Sequence, residues 1–320
     1  MNNPDDLPID VEAEREWANA YRLKHELSWS RFALLADVPM GTLQPFCKGN
    51  YQGNNERVAR AIYRLRQMEE TQSDLAYLAE DVPYFETPTS RRIEGLLKIA
   101  HMGRVTAVGT APGTGKTITA WNYALGVPLV FVVTMRQSTR TLNGMILQVL
   151  RVLEGTEPKG NNTQALSRRV TDNLRGKRKL LIIDEAQHLT WEALEEIRSW
   201  HDETGTGICL LGNEELIMRI EGGPRRDAFA RMNSRIAVRH VQNLPEQADA
   251  EAFCDAWKIS DAGMRRLLIQ IALTPAAGGL RECRQIVEAA SMFAIEDQRP
   301  ISLADLRDAQ ATRATRNIRA

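Results

Sequence analysis

Two short motifs, about sixty residues apart, constrain the fold of this chain more than any other feature. The first is VGTAPGTGKTITAWNYALG, residues 108–126, and the second is KLLIIDEAQHL, residues 179–189. In the first motif a short apolar stretch leads into a glycine-rich loop, and residues 119–125 have helix character. This order of strand, loop and helix is typical of a P-loop, whose backbone N–H groups bind phosphate oxygens.

The first motif therefore predicts a site for a nucleoside triphosphate, with ATP and Mg²⁺ as cofactors. Lys116 is expected to reach the β- and γ-phosphates, and the Thr117 hydroxyl is expected to bind Mg²⁺. The loop departs from the usual motif because Thr110, not glycine, holds its first position. The alternative is a glycine turn that contains GKT by chance. The predicted phosphate-binding residues are Gly109, Thr110, Ala111, Pro112, Gly113, Thr114, Gly115, Lys116, Thr117 and Ile118.

The second motif predicts a buried strand that ends in two carboxylates. Residues 180–183 are continuously apolar, as in a parallel strand covered on both faces. Asp184 is expected to complete the Mg²⁺ site, and Glu185 is expected to polarise the attacking water. The alternative reading treats Asp184 as the cap of a following helix.

A further apolar run, GICLLGN, ends at Asn213. Its amide is a candidate for orienting the attacking water, and the alternative is an ordinary turn asparagine. Runs of this kind predict five parallel strands separated by helices, which is an α/β architecture. The predicted strands are residues 105–109, 128–134, 179–184, 207–212 and 235–240.

These motifs, with RRDAFARMNSRI before the last strand and GGLREC near the C-terminus, resemble those of an AAA+ ATPase. The resemblance implies that Asn213 is sensor 1 and that Arg281 is sensor 2 on a helical lid. It makes Arg235 the preferred arginine finger and Arg231 the alternative. A guanidinium fork suits the charge of phosphoryl transfer, although each arginine alone could equally form a surface ion pair.

The first seventy residues have a different character. Ser28 can cap one helix, residues 42–48 form a second short helix after a turn, and a third begins near residue 54 or 55. This spacing resembles the Cro and λ-repressor type of helix-turn-helix, which implies that Thr42, Gln44 and Lys48 face DNA. Asp37 replaces the usual turn glycine, and Pro45 is expected to kink or shorten the second helix. The alternative is a helical bundle for protein contacts.

A basic segment lies inside the predicted ATPase. Between residues 159 and 179 there are seven basic residues and a single acid, Asp172. Such a cluster predicts contacts with a phosphate backbone, and the alternative is a solvated helix face. The DNA-binding candidates of this segment are Lys159, Arg168, Arg169, Arg175 and Lys177.

Composition adds limits to these predictions. The 320 residues carry equal numbers of acidic and basic side chains, so a charged partner must meet a local patch. Four dispersed cysteines indicate a reducing compartment and no zinc site. The acidic N-terminus and the absence of a long apolar run predict a cytoplasmic protein that does not contact membranes.

The predicted domains are a helix-turn-helix domain (1–70), a linker (71–90), an AAA+ core (91–242) and a helical lid (243–320). This order, together with KGNYQGNNERV after the second helix, is similar to that of the target-DNA activators, or B proteins, of phage Mu-type elements. The resemblance implies an ATPase that polymerises on double-stranded DNA without sequence preference. It also implies that the filament delivers the DNA to a transposase, stimulates strand transfer, and is cleared by hydrolysis.

Two other functions are compatible with parts of the sequence. One is a different AAA+ helper, such as a helicase loader or an activator in an insertion sequence or secretion operon. Those proteins usually lack a repressor-like N-terminal domain. The other is a sequence-specific DNA-binding regulator whose affinity is modulated by nucleotide.

Overall fold

The computed structural model describes residues 9–78, 82–176, 178–221, 226–297 and 299–313. The chain divides into two compact units, residues 1–81 and 82–320. The division falls within the predicted linker, and a helix that begins at Asn55 continues to Leu78, past the predicted boundary at residue 70. Each unit has its own hydrophobic core and is described separately.

The described residues of the first unit are helical. Its helices are α1 (Val11–Lys24), α2 (Trp29–Leu35), α3 (Met40–Cys47) and α4 (Asn55–Leu78). All four contribute buried apolar side chains to one core, including Ala18, Phe32, Leu43, Phe46, Val58 and Ile62. Helix α1, which the sequence analysis did not predict, is capped by Asp10, whose side chain accepts from the N–H groups of Glu12 and Ala13.

The turn between α2 and α3 explains the first departure from the repressor pattern. Ser28 caps α2, accepting from the N–H of Arg31 at 3.3 Å. Asp37 then adopts a left-handed conformation, with φ of 51°. Glycine takes this conformation without cost, and aspartate is among the few other residues that tolerate it. The turn therefore has the backbone that a glycine would give it.

Pro45 lies inside α3, which has only eight residues. The two carbonyls at the end of this helix are bound by side chains of α1. Arg15 donates to the carbonyl of Phe46 at 2.9 Å, and Asn19 donates to that of Cys47, also at 2.9 Å. Helix α1 thus closes the end of a short, proline-containing helix. Whether α3 reads DNA stays a prediction.

The second unit is built on the predicted five-stranded parallel sheet. Its strands are β1 (Val105–Thr110), β2 (Val130–Thr134), β3 (Leu180–Asp184), β4 (Gly207–Gly212) and β5 (Ile236–Gln242), in the spatial order β2-β3-β4-β1-β5. Strands β1, β3 and β4 are fully buried, as their continuous apolar runs predict. The second strand begins later than predicted because Leu129 is left-handed, with φ of 63°, and turns the chain just before it.

Helices cover both faces of this sheet. They are α5 (Pro88–His101), α6 (Lys116–Gly126), α7 (Leu142–Glu154), α8 (Thr163–Leu174), α9 (Trp191–Thr204), α10 (Glu214–Glu221) and α11 (Arg226–Arg235). One core includes Ile146, Leu181 and Trp200, and a smaller core on the other face includes Leu97, Tyr123 and Ile182. The carboxyl ends of all five strands therefore meet at one edge, where ligands bind in open α/β sheets.

A helical subdomain follows the sheet and has a third core. Its helices are α12 (Gln247–Ala256), α13 (Ala262–Ala272), α14 (Leu280–Glu296) and α15 (Leu303–Arg313). The buried Asp249 joins α12 to the start of α5, because it accepts from both the N–H and the hydroxyl of Thr89, at 2.9 and 2.6 Å. It also accepts from the N–H of Glu246 at 2.7 Å. One carboxylate thus serves the first turns of two helices.

Within the described part of the chain, no helix combines the length and apolar character needed to cross a membrane. The four cysteines are buried free thiols.

Helix α5 lies so close to β4 at Gly207 that we expect this position to accept only glycine. A Cβ at residue 207 would lie 1.9 Å from the carbonyl oxygen of Ala100. We expect Gly207→Ala to lower the free energy of unfolding by about 3 kcal/mol, the upper end of overpacking effects, because a backbone atom must move. Chemical denaturation monitored by circular dichroism would measure it.

The matched control is Gly95→Ala, on the same helix α5, where a Cβ meets nothing within 4 Å. This change is expected to be neutral or stabilising by up to about 1 kcal/mol, since alanine favours helix over glycine. Equal destabilisation by both variants would contradict the packing argument.

Candidate functional site

The predicted phosphate loop connects β1 to α6. Gly113 and Gly115 have φ values of +79° and +88°, which other residues rarely adopt, and Gly115 is the N-cap of α6. The Thr110 hydroxyl is buried and lies 2.8 Å from that of Thr114, which in turn donates to the carbonyl of Ala111 at 3.0 Å. Thr110 therefore braces the loop from within, which explains why it can replace glycine at the first motif position.

Gly109, one residue earlier, serves a different purpose. A Cβ there would lie 2.4 Å from Cγ1 of Ile217 on α10 and 3.2 Å from the carbonyl oxygen of Asn213. Glycine at this position lets the segment after β4 pass close to the end of β1. Gly109, one of the predicted phosphate-binding residues, therefore shapes the packing beneath the loop.

Lys116 lies at the start of α6 and is 8% exposed. Its ammonium donates to the carbonyl of Thr110 at 3.4 Å. Burial lowers the pKa of Lys116, while the negative charges of Glu185 and Asp184 act in the opposite direction and Arg281 adds to the lowering. Because nearby negative charge offsets only part of the cost of burial, the ammonium group of Lys116 is suited to bind an anion.

Asp184 and Thr117 meet beside this lysine, as predicted. The Thr117 hydroxyl donates to Oδ2 of Asp184 at 3.0 Å, and the N–H of Glu185 donates to Oδ1 at 3.0 Å. Burial raises the pKa of Asp184, partly countered by the hydrogen bond from Thr117. A hydroxyl and a carboxylate at hydrogen-bond distance form an oxygen donor set that fits Mg²⁺, which keeps its remaining positions for water and phosphate oxygens. The cap reading of Asp184 is not supported, because Thr190 caps α9.

Glu185 follows in a left-handed conformation, with φ of 55°. A left-handed glutamate is uncommon, and such backbone strain clusters at functional sites. The amide of Gln187 donates to its carboxylate. Arg219 on α10 in turn donates to the carbonyls of Gln187 and Leu189, the latter at 2.7 Å. Gln187 was not among the site residues predicted from the sequence, although it lies two residues after Glu185.

Asn213 begins the segment after β4, next to the same carboxylates in the sheet order β3-β4-β1. Its amide oxygen is buried and has no hydrogen-bond partner among the described residues. A buried amide oxygen without a partner is costly, which is consistent with a ligand-binding role.

A cavity of about 420 Å³ opens above the phosphate loop. The helical subdomain forms its roof, and the first turn of α14 contacts the loop directly, because the N–H of Leu280 donates to the carbonyl of Gly113 at 3.0 Å. Arg281 and Arg284 lie at this end of the cavity, together with Lys116. Arg284 is paired with Glu288 at 2.7 Å, so Lys116, Arg281 and the loop backbone are the groups that make this end suitable for a polyphosphate.

The opposite end of the cavity is apolar. Phe85 packs edge-on against Phe253 with ring centroids 6.1 Å apart, and Phe253 stacks on Trp257 at 5.4 Å. The apolar lining also includes Val82, Pro83, Tyr84 and Trp121. An apolar end for a base and a cationic end for phosphates together suit a nucleoside triphosphate. Residues 82–87 fall in the predicted linker, and the VPYFETP sequence was the available signal for their role.

The two candidate arginine fingers do not line this cavity. Arg235 ends α11 and forms an ion pair with Asp202, with Nε 2.8 Å from Oδ1. This pairing lowers the pKa of Asp202. Arg231 is exposed and makes no ion pair with the described residues. A role as arginine finger therefore requires that one of them reach the cavity of a second copy.

The predicted DNA-binding residues fall in two groups. On α3, Thr42 and Gln44 are half-buried, and Lys48 is exposed immediately after the helix. Near α8, Arg169 pairs with Glu154 at 2.6 Å, and Arg175 pairs with Glu203 at 2.6 Å. Lys159 and Arg168 are exposed without an ion pair to the described residues, and Lys177 lies outside them. The basic segment is thus partly neutralised by acids from other elements.

Comparisons with known proteins agree with this geometry. Residues 101–220 match the family model described as an AAA domain, and residues 234–312 match Mu B transposition protein, C terminal. The chain is 34% identical over 273 residues to the ATP-dependent target DNA activator B of Escherichia phage Mu, spanning 84% of this chain and 85% of that protein. The activator B of Escherichia phage D108 gives the same identity and coverage.

Among solved structures, the Aeropyrum pernix Orc1 protein in complex with DNA aligns with a TM-score of 0.56 and 16% identity. The alignment covers 73% of this chain and 68% of that one. At this identity the likeness concerns the fold alone. The predicted AAA+ fold class is confirmed.

The buried lysine leads to a test of the site. Because the folded protein holds the pKa of Lys116 below its unfolded value, the charged lysine opposes folding at neutral pH, and the opposition ends only above the unfolded pKa. Without nucleotide, Lys116→Met is expected to raise the free energy of unfolding by roughly 1 kcal/mol.

The same variant should lose the stabilisation that ATP gives the wild type, which is about 2.7 kcal/mol at a hundred times the Kd. Thermal unfolding with and without ATP and Mg²⁺ measures both effects. A Lys116→Met protein that is still stabilised by ATP to the wild-type extent would contradict the assigned role.

Proposed function

The chain belongs to the family of the ATP-dependent target DNA activators B of phages Mu and D108, and we propose that it performs the task that this name describes. It binds ATP, assembles on double-stranded DNA without sequence preference, and delivers that DNA to a transposase as the target of strand transfer. The observation that carries the proposal is the 34% identity over 84% of the chain, with a phosphate loop in the region that matches the AAA domain.

The chemistry follows from the groups around the cavity. Lys116 and Arg281 neutralise phosphate charge, the former from the loop and the latter from the lid. Thr117 and Asp184 would hold Mg²⁺, which would supply further positive charge to the triphosphate. Glu185 accepts a proton from the attacking water, and the amide oxygen of Asn213 accepts a hydrogen bond from the same water. The hydrogen bond from Gln187 holds the Glu185 carboxylate in place.

Assembly follows from the position of the arginine fingers. Arg235, or Arg231 as the alternative, reaches the γ-phosphate bound by a neighbouring subunit. A contact in which one face of each copy meets a different face of the next is head-to-tail, and it builds a helical filament unless the rotation closes into a ring. Nucleotide therefore acts as an assembly ligand, since it binds the assembled state more tightly than the free protomer.

The filament marks target DNA in the host bacterial cytoplasm and is cleared when the transposase stimulates hydrolysis through Glu185. The N-terminal helices add a second DNA contact through Thr42, Gln44 and Lys48. In this scheme DNA and transposase both stimulate the ATPase.

Negative-stain electron microscopy of the purified protein, with and without ATP and duplex DNA, tests the proposal. We expect helical filaments on DNA of any sequence, formed only with ATP. Closed rings would favour a helper of the helicase-loader type, and a footprint limited to one sequence would favour a regulator. Either result, or single particles under every condition, would contradict the proposal.

The role of Glu185 gives a separate prediction. Glu185→Gln should bind ATP and assemble on DNA, but release phosphate at least about 100-fold more slowly, because the amide cannot accept the proton. Its filaments should persist after the wild-type filaments have dissociated, as seen by time-resolved light scattering. Glu192→Gln, an exposed glutamate in the first turn of α9, is the matched control. Disassembly of Glu185→Gln at the wild-type rate would overturn the assignment.

Mixing variants tests the arginine finger. The finger variant, Arg235→Ala or Arg231→Ala, should bind ATP but hydrolyse it about 10³-fold more slowly. Addition of Lys116→Met should restore part of the activity, since that protein supplies an intact arginine to a neighbour with an intact P-loop. If neither arginine variant is restored, hydrolysis does not depend on the proposed arginine of a neighbour.

A further inference from the structure

Helices α7 and α8 run parallel, which brings their first turns together. At one end Thr163 lies 3.4 Å from the side-chain oxygen of Asn143, and at the other Asn173 donates to Glu154 at 3.3 Å. The loop between the two helices therefore returns along α7. Both helices begin at the edge of the sheet where β2 ends.

The connection from β2 to α7 joins this end of the two helices. It contains a 3₁₀ turn, Gln137–Thr139, flanked by Arg136 and Arg140. Both arginines are exposed, and neither forms an ion pair with the described residues. We call the surface formed by Arg136, Arg140, Asn143 and Thr163 the loop patch.

The loop before α7 and the first turns of α7 and α8 carry no acid. Residues 135–153 contain no acid, and neither do residues 158–171. The nearest acids on the segment that touches the loop are Asp184, which is buried, and Glu185, and among the described residues neither forms an ion pair with Arg136 or Arg140. In a chain of zero formal charge, such a surface is a local source of positive potential.

The loop patch is also held rigidly. The N–H of Arg136 donates to the Thr139 hydroxyl at 2.9 Å, and the N–H of Thr190 donates to the carbonyl of Arg140 at 3.1 Å. A Cβ at Gly144 would lie 3.1 Å from Cα of Thr139, so the turn packs tightly against the first turn of α7. A preformed loop loses little backbone entropy when a ligand binds.

From these observations we infer that the loop patch binds the phosphate backbone of duplex DNA through Arg136 and Arg140. The inference rests on the proposed function, which requires DNA contacts, and assigns them to residues that the basic segment near α8 did not include. It adds two unpaired cations to Lys159 and Arg168, the exposed residues of the basic segment, in which Arg169 and Arg175 are occupied by Glu154 and Glu203. Exposed, unpaired guanidinium groups suit contacts that do not depend on base sequence.

The loop patch does not share residues with the nucleotide cavity, but the two are adjacent. The N–H of Met135 donates to the carbonyl of Asp184 at 2.9 Å, and Gln137 lies 3.1 Å from Nδ1 of His188. The loop thus packs along the segment that carries Asp184 and Glu185. DNA bound at the loop patch therefore contacts a loop that is hydrogen-bonded to the segment of the catalytic carboxylates.

The test measures the salt dependence of binding to a labelled mixed-sequence duplex, with a slowly hydrolysed ATP analogue. Replacing Arg136 and Arg140 with alanine should reduce the log–log slope by roughly 1.8 and weaken binding about 30-fold at 0.15 M salt, from a slope of about 0.9 per phosphate contact. Arg136→Lys with Arg140→Lys should keep most of the slope, because the charges remain. Thermal unfolding verifies that each variant is folded.

The matched control is Arg151→Ala with Arg265→Ala. It removes the same charge from the last turn of α7 and from α13, from arginines that are already paired with Glu157 and Asp255. An unchanged slope in the Arg136 and Arg140 variant, or an equal loss in the control, would overturn the inference. The inference would also be overturned if the wild type bound polyglutamate, a polyanion without phosphate groups, as tightly as it binds DNA. If the wild type fails to bind DNA with nucleotide, the proposed function itself is contradicted.

Discussion

The contact between two stretches of backbone at Gly113 determines the geometry of the nucleotide site. A Cβ at this position would lie 1.9 Å from the carbonyl oxygen of Gly278, and the carbonyl of Gly113 accepts from the N–H of Leu280. No side chain fits at this point between the phosphate loop and the lid, so here they meet through main chain. Backbone atoms have no rotamers, and the first turn of α14 is therefore fixed relative to the loop. Arg281 comes with it into the field of Lys116.

The sequence predictions for this site rest on local geometry. A phosphate loop needs glycine at particular backbone angles, and a strand buried on both faces needs a continuous apolar run. Lys116, Thr117 and Asp184 were identified for that reason, and the structure brings them together. Gly109 illustrates the limit. Its presence was visible in the sequence, but its reason, the approach of Ile217, depends on a segment more than one hundred residues away.

Ion pairs between residues that are distant in the chain could not be predicted from the sequence, for the same reason. Arg169 and Arg235 were selected as candidates from their neighbours in the chain, but their charges are met by Glu154 and Asp202, which other helices supply. Residues 82–87 were assigned to the linker because the stretch is acidic and contains prolines, and its VPYFETP sequence indicated packing on the ATPase without showing that its partner is the aromatic cluster that includes Phe253 of α12. Long-range partners decide whether a polar residue is free, and a single sequence does not contain them.

Zero formal charge makes this distinction matter for function. A strongly basic protein attracts nucleic acid over its whole surface, and a few paired arginines change little. Here the attraction must come from a small number of cations without acidic neighbours, so every ion pair within the chain removes a potential phosphate contact. The edge of the sheet that holds the triphosphate is also the edge where α7 and α8 begin, and one segment, residues 184–190, borders both. Nucleotide and DNA would therefore act on the same few residues, which offers a short physical route for linking assembly to hydrolysis.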